Sequence, residues 1–417
     1  MMKKLGSALL ATLLWTGSAS AYELDGELAL EGRLFADRGP RGQEQLDGAI
    51  WTRWQYFNDW NDGKDSITVV PFLLQDQRDA ERGHWDFREL TWLHVGDGWE
   101  FRGGLRRVFW GVIESQHLVD IINQTDAVLA IDGEEKLGQP MLNISTEGRF
   151  GTLDLYLMSF FRDRTFPGID GRLGGPLVVA DDSSRFEASD GRRHVDVAIR
   201  WAHNLENWNF ALSHFSGTSR EPLFQLEYLG ASPIPTGRLI PLYPTIDQTG
   251  LELQYIQGGW AWKLEAISRS GYGGDRYAAS GFGFEYTQTG IAGSRIDLGW
   301  IVEYDWDERG DQAPPGVLEH DLFLGIRWAF NNLGESQLLA GVVVDSDSRE
   351  QVYWFEGSHR LSDQWKLAFE SRIFAGGHLP PTDLTSILTQ AAQPDFDNKL
   401  GYWQKDDFVQ LQLIRYF

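Results

Sequence analysis

The chain has 417 residues, with 37 Lys+Arg against 60 Asp+Glu and a formal net charge of -23. That balance excludes nucleic acid as a partner, because phosphate binding needs a basic surface, and the absence of cysteine excludes disulfides, thiolate nucleophiles and cysteine-held zinc. With 42% hydrophobic and 13% aromatic residues disorder is excluded too, while 18 Trp and 46 Gly suggest an extracytoplasmic β-protein with tight turns and interfacial aromatics.

Residues 1–21 read as a secretory signal. Lys3 and Lys4 supply the positive start, Leu9 to Trp15 an apolar core too short to span a membrane, and Ala19-Ser20-Ala21 a small-residue cleavage site. The expected mature chain is 22–417, and losing two lysines takes its net charge to -25.

No later stretch approaches the ~20 consecutive apolar residues of a spanning helix. Period-2 alternation recurs instead. Ile296, Leu298, Trp300, Val302, Tyr304 and Trp306 share one face, and Asp297, Glu303 and Asp305 lie on the other. Trp365, Leu367, Phe369 and Ile373 alternate in the same way with Lys366, Glu370 and Arg372. The pattern predicts strands near 24–36, 46–57, 66–76, 84–96, 98–109, 139–149, 152–161, 194–203, 206–216, 247–257, 260–270, 278–288, 294–306, 318–330, 336–345, 350–361, 364–375 and 405–417, eighteen in all. Pro71 interrupts the third, and 222–229 has room for a further strand.

The connectors alternate as well. Every second one is short ("DG", "GT", "LE", "GG", "SD"), whereas four of the others are very long: 110–138, 162–193, 217–246 and 376–404. Single-chain outer-membrane barrels have an even strand number, short periplasmic turns and longer outer loops. The expectation is therefore an all-β, transmembrane antiparallel β-barrel of about 18 strands in the cell outer membrane, touching outer-membrane lipid and lipopolysaccharide, with both termini in the periplasm. Phe417 ends the chain behind Arg415, Leu413, Leu411 and Val409 at two-residue steps, resembling the C-terminal signal by which such barrels engage the barrel assembly machinery. Arg415 stands where an aromatic is commoner, and at the rim it can snorkel.

Residues 98–175 carry "FRGGLRRVFWGVIESQHLVDIINQTD", then "KLGQPML" and "FRDRTFPGIDGRL". These runs resemble a porin-like proteobacterial outer-membrane family of mostly unassigned function. Its members carry an Arg-rich strand end, Trp-Gly, and a D-x-I-N-P-x-D-like motif. Arg106, Arg107, Trp110, Gly111, Asp120, Asn123 and Asp126 match, and Gln124 stands in place of the usual Pro. The resemblance implies a barrel and solute passage, and names no substrate.

Within 110–138, Ile113, His117, Leu118, Ile121 and Ile122 follow helical spacing beside Glu114 and Asp120, so an amphipathic loop is expected to fold inward and narrow an otherwise wide lumen. Trp110, Gly111, Asp120, Asn123 and Asp126 are its candidate residues, and Arg106 is expected to anchor it by pairing with Asp120 or Asp126. Parity places Glu100, Arg102, Arg106, Glu147, Arg149, Asp196, Arg200, Lys263, Glu265, Arg269, Lys366, Glu370 and Arg372 on the lumen face. Three acidic groups, Asp132/Glu134/Glu135, Asp305/Asp307/Glu308/Asp311 and Asp345/Asp347/Glu350, read as a solvated outer rim; no twelve-residue calcium loop is present, and neither a metal site nor a cofactor is expected.

His214 and Ser216 lie two apart on a lipid-facing parity, resembling the His-x-Ser pair of outer-membrane lipid A deacylases. No acid in the sequence is bound to orient His214, and no G-x-S-x-G, H-E-x-x-H or phosphate-loop pattern is present, so catalysis is not expected. The functional expectation is a porin-like channel for passive or weakly selective diffusion of small solutes, with a mild cation preference from the chain's acidity. A closed barrel serving as a surface binding or structural protein is the alternative.

Overall fold

The computed structural model describes residues 22–417 except 231, 233, 315, 380, 382 and 393–397. The segment read as a signal peptide lies outside the described residues. Eighteen strands form one sheet: β1 (Glu23–Phe35), β2 (Leu46–Trp60), β3 (Asp65–Asp76), β4 (Trp85–Val95), β5 (Trp99–Arg106), β6 (Gln139–Gly148), β7 (Gly151–Met158), β8 (Asp196–Leu205) and β9 (Trp208–Thr218) make the first half. The second half is β10 (Thr245–Gln257), β11 (Trp260–Ser270), β12 (Tyr277–Gln288), β13 (Asp297–Asp307), β14 (His320–Ala329), β15 (Gln337–Asp345), β16 (Gln351–Ser362), β17 (Trp365–Ala375) and β18 (Phe408–Tyr416). Neighbours in sequence pair antiparallel, and β1 bonds to both β2 and β18. The sheet is therefore a closed barrel without a free edge.

Alternation sets the two faces. On β1, Leu30 is 58% exposed between Ala29 at 0% and Glu31 at 8%. Apolar side chains point out, and charged ones point in wherever the strand can pair them. Near the short-turn end an aromatic girdle faces outward, including Trp54, Trp99, Trp201, Trp208, Trp260 and Trp300. Phe417 belongs to it, stacked on Trp54 at 5.7 Å, and Arg415 lies over the rings of Trp365 and Phe417. The Arg at this position thus joins the girdle by cation–π contact.

Pro71 stays in β3 at a local cost. Lacking an N–H, it coincides with a bulge against β4, and the β2 ladder is open opposite it between Arg53↔Phe72 and Tyr56↔Val69. Several ends are shorter than alternation alone predicts. β5 stops at Arg106 because the Val108 amide leaves the ladder to donate to Asn123 Oδ1 at 2.8 Å. The strand foreseen within 222–229 exists at Leu223–Tyr228. It pairs with Pro235–Tyr243 in a small loop sheet, outside the barrel wall.

The main apolar core sits inside the barrel. Trp110, Val119, Ile121 and Ile122 pack against inward residues of β6 to β12, among them Met141, Tyr156, Phe215 and Ile267. The segment after β5 therefore fills one side of the interior.

Candidate functional site

The segment 110–138 is irregular, not helical. The helical spacing of Ile113, His117 and Ile121 does mark an apolar face, but the backbone bonds that would make a helix go elsewhere. Val112 and Ile113 N–H donate to Glu265 Oε1 at 2.6 and 3.0 Å, and Val119 N–H donates to Glu265 Oε2 at 3.3 Å. Glu114 and Ser115 N–H donate to Glu303, and Ser115 Oγ donates to Asp305 at 2.8 Å. Carboxylates of β11 and β13 thus replace the i−4 carbonyls. Gly111 makes the approach possible: its φ is +139°, and a Cβ there would stand 2.8 Å from Glu265 Oε1.

The base of the segment is closed by its own residues. Asn123 Nδ2 donates to the carbonyls of Arg106 and Leu137 at 2.7 and 2.8 Å, while Thr125 bridges Lys136. Asp120 pairs with Lys136 at 3.1 Å and accepts from the Trp110 amide at 3.3 Å. Asp126 is fully buried, 2.7 Å from Arg88 and 3.4 Å from His84, with the Thr165 hydroxyl donating at 2.7 Å. Burial alone would raise its carboxyl; the His84 hydrogen bond, the Arg88 charge and Thr165 hold it down at about 2. Farther along, Arg372 reaches Asp132 at 2.8 Å and Arg327 reaches Glu114 at 2.8 Å.

The expected pairing of Arg106 with Asp120 or Asp126 does not form. Arg106 Nη1 donates instead to Asn143 Oδ1 on β6, at 2.9 Å. Register explains this: Arg106 lies opposite Gln139, so a strand neighbour is within reach, whereas Lys136 and Arg88 take the two aspartates.

The other residues assigned to the lumen face divide into groups. Glu100 pairs with Arg102, Arg200 with Glu252 at 2.9 Å, Asp196 with Arg220 at 2.7 Å and Arg269 with Glu221 at 2.9 Å. Lys263 lies between Glu285 and Glu303, and Glu147 is the exposed penultimate residue of β6. Arg149 is off the strands, in the Arg149-Phe150 turn with its guanidinium over the Phe150 ring. Glu370 sits 3.5 Å from Arg372. Of the thirteen, Lys366 and Glu370 border a cavity of about 430 Å³.

That cavity lies between the segment and the wall built from β1 to β4 and β14 to β18. Glu114, Leu129, Ala130 and Glu135 face it from the segment, and Arg53, Arg88, Arg107, Arg327 and Glu356 are among the other residues around it. Arg53 and Arg327 were legible by parity with Thr52, Trp54, Ile326 and Trp328. Arg107 carried only its place in the Arg-rich turn. The acidic rim also needs correction: Asp305, Asp307 and Asp345 lie on strands, face inward and are buried at 0%, 1% and 6%. Among the described residues no group of three or more His, Asp or Glu is placed to hold a metal ion.

No protein-family model matches the chain, and no curated protein matches it. Among solved structures, Acinetobacter baumannii OccAB3 aligns with a TM-score of 0.52 at 10% identity, covering 95% of this chain and 99% of that one. Pseudomonas aeruginosa OccK5 (OpdH) gives 0.47 at 9% identity over 95% and 96%, and a mutant of the Rh. blastica porin 0.42 at 10% identity over 95% and 100%. At such identity the OccAB3 likeness bears on the porin-like barrel fold.

Proposed function

We propose that the chain is an outer-membrane channel for passive, weakly selective diffusion of small polar solutes, with 110–138 as its constriction. The observation that carries this reading is the space left beside the segment: about 430 Å³, lined by Arg53, Arg88, Arg107, Arg327 and Lys366 together with Glu114, Glu135, Glu356 and Glu370. A wall of mixed charge keeps water and polar solutes comfortable, although Trp51, Phe72, Leu74 and Phe369 also line the space. Much of the interior acidity is not offered to the solute, because Glu265, Glu303 and Asp305 are occupied by the segment. Selectivity then follows the near-balanced charges around the cavity, not the net charge of the chain. The outward apolar faces and aromatic girdle support a place in the outer membrane, in contact with lipid and lipopolysaccharide, and Phe417 supports assembly through the barrel machinery.

Single-channel recording in planar bilayers tests the proposal. The wild type conducts, and deleting 112–136 raises the conductance several-fold. Unchanged conductance removes the segment as the constriction. No conductance in either form favours a closed barrel that works through its outer loops.

A further inference from the structure

Outside the barrel, at the long-loop end, three strands interrupt the apolar band with polar residues. β9, β10 and β11 present His214 and Ser216, Asp247 and Thr249, and Ser268 and Ser270 on their outward faces. Register sets Ser216 beside Asp247 and Ser270, and His214 beside Thr249 and Ser268. The outward parity is fixed by Leu212 at 51% exposed, against Ser213 at 5% and Phe215 at 1%.

The His214 imidazole joins two of these groups. Its Nε2 is 3.1 Å from Asp247 Oδ1, and its Nδ1 is 3.0 Å from Thr249 Oγ1. One tautomer satisfies both contacts: Nε2–H donates to Asp247, and Nδ1 accepts from the Thr249 hydroxyl. By sequence alone His214 sits two residues from Ser216 with no acid beside it. The fold supplies the acid from the neighbouring strand and places Thr249, not Ser216, on the imidazole.

We propose that Asp247, His214 and Thr249 form an esterase site that cleaves an ester-linked acyl chain from an anionic membrane lipid. The order is that of an activated nucleophile: hydroxyl, base, orienting carboxylate. It stands open, with His214 and Asp247 side chains 46% and 44% exposed. Its height is right for lipid esters. From Trp260 in the girdle to Ser270, the strand rises about 33 Å at roughly 3.3 Å per residue, or about 25 Å along the membrane normal at a tilt near 40°. That is the full height of the apolar band, so the site sits where headgroup esters and water meet.

Arg276 completes it. Its guanidinium donates to Ser268 O and Oγ at 3.2 Å and to Ser270 Oγ at 2.9 Å, and meets no carboxylate among the described residues. Pinned on the same outward face, it is a cation for the lipid phosphate.

The chemistry balances without a further reagent. Thr249 Oγ1 adds to the ester carbonyl as its proton passes to His214 Nδ1. The carbonyl re-forms, the C–O bond to the lipid alcohol breaks, and that alcohol leaves with the proton. Water then attacks the acyl-threonine by the same route and releases the carboxylic acid, restoring the hydroxyl. Asp247 acts as a positioning residue that holds the imidazole. The inference rests on the membrane placement proposed above and not on conduction.

The test uses the full-length mature protein in detergent micelles with dioleoylphosphatidylglycerol or lipopolysaccharide, measuring released fatty acid. Release from either lipid supports the site and tells which it serves; release from both no faster than in protein-free micelles overturns it. His214→Asn and Thr249→Val should lower release about 100-fold or more, and Ser216→Ala should leave it. Asp247→Asn should lower kcat with KM unchanged, with recovery in Asp247→Glu, and Arg276→Ala should raise KM with kcat unchanged. Activity surviving Thr249→Val but lost in Ser216→Ala would overturn the assignment. Heat-modifiable migration on gels reports an intact barrel in each variant, and conductance is read separately, so failure of the channel reading leaves this result standing.

Discussion

Asp126 is the residue on which the seating of the inner segment can be measured. It is wholly buried, touches Arg88, His84 and Thr165, and its carboxyl is held at about 2. An aspartate in an unfolded or released segment titrates near 3.9, so the gap of about two pH units corresponds to about 2–3 kcal/mol favouring the seated, ionised form. The sign follows from a folded pKa depressed below the free one. The stabilisation is complete above about pH 4 and is lost as pH falls through about 2. Asp126→Asn mimics the neutral form at every pH, and leaves Arg88, only 2% exposed, with Asp86 at 3.4 Å as its remaining carboxylate. Hydrogen–deuterium exchange of 107–138, corrected for intrinsic rates, reads the consequence. At pH 7 the variant's segment should exchange about 30- to 150-fold faster than wild type, as 2–3 kcal/mol implies, while peptides from the strands stay unchanged. The wild type should show the same acceleration between pH 4 and pH 2, and the variant should show none. Equal exchange in the two proteins at pH 7 would refute the reasoning.

Two further substitutions probe the same seat. Gly111→Ala forces a side chain into φ +139° and against Glu265, so it should cost about 1–3 kcal/mol locally, read as faster exchange of 107–138 with heat-modifiability intact. Arg106→Ala should leave that exchange unchanged, because Arg106 bonds Asn143 on the next strand; its effect on conductance should add strictly to that of Asp120→Asn.

Much of the barrel was legible because its physics is local. A strand between lipid and a polar interior must alternate residue by residue, so Trp300 and Trp306 on one face and Glu303 and Asp305 on the other already gave the period and the parity. The seat of the inner segment was less legible because its partners are remote in sequence. Glu265 lies 152 residues from Ile113, and Glu303 lies 189 from Glu114. Nothing about a glutamate on a strand announces that it will accept backbone amides from a distant loop. Nearby cues misled for the same reason: Arg106 and Asp120 are close in sequence, yet each found a better-placed partner, Asn143 and Lys136.

The same contrast explains why the two faces of the wall can do different work. Inside, carboxylates are taken up by the segment: Glu265 and Glu303 accept its backbone amides, Asp305 accepts the Ser115 hydroxyl, and the segment's own Asp120 and Asp126 pair with Lys136 and Arg88. Outside, at headgroup height, water is available and a carboxylate can stay partly exposed, as Asp247 does. A histidine beside such a group keeps access to solvent and substrate, which the interior denies to His117, whose side chain is 14% exposed beneath Phe109 and against Glu134. The barrel therefore leaves its seated carboxylates to position a loop, and its outward polar cluster is where a hydroxyl, an imidazole and a carboxylate remain free to meet a ligand.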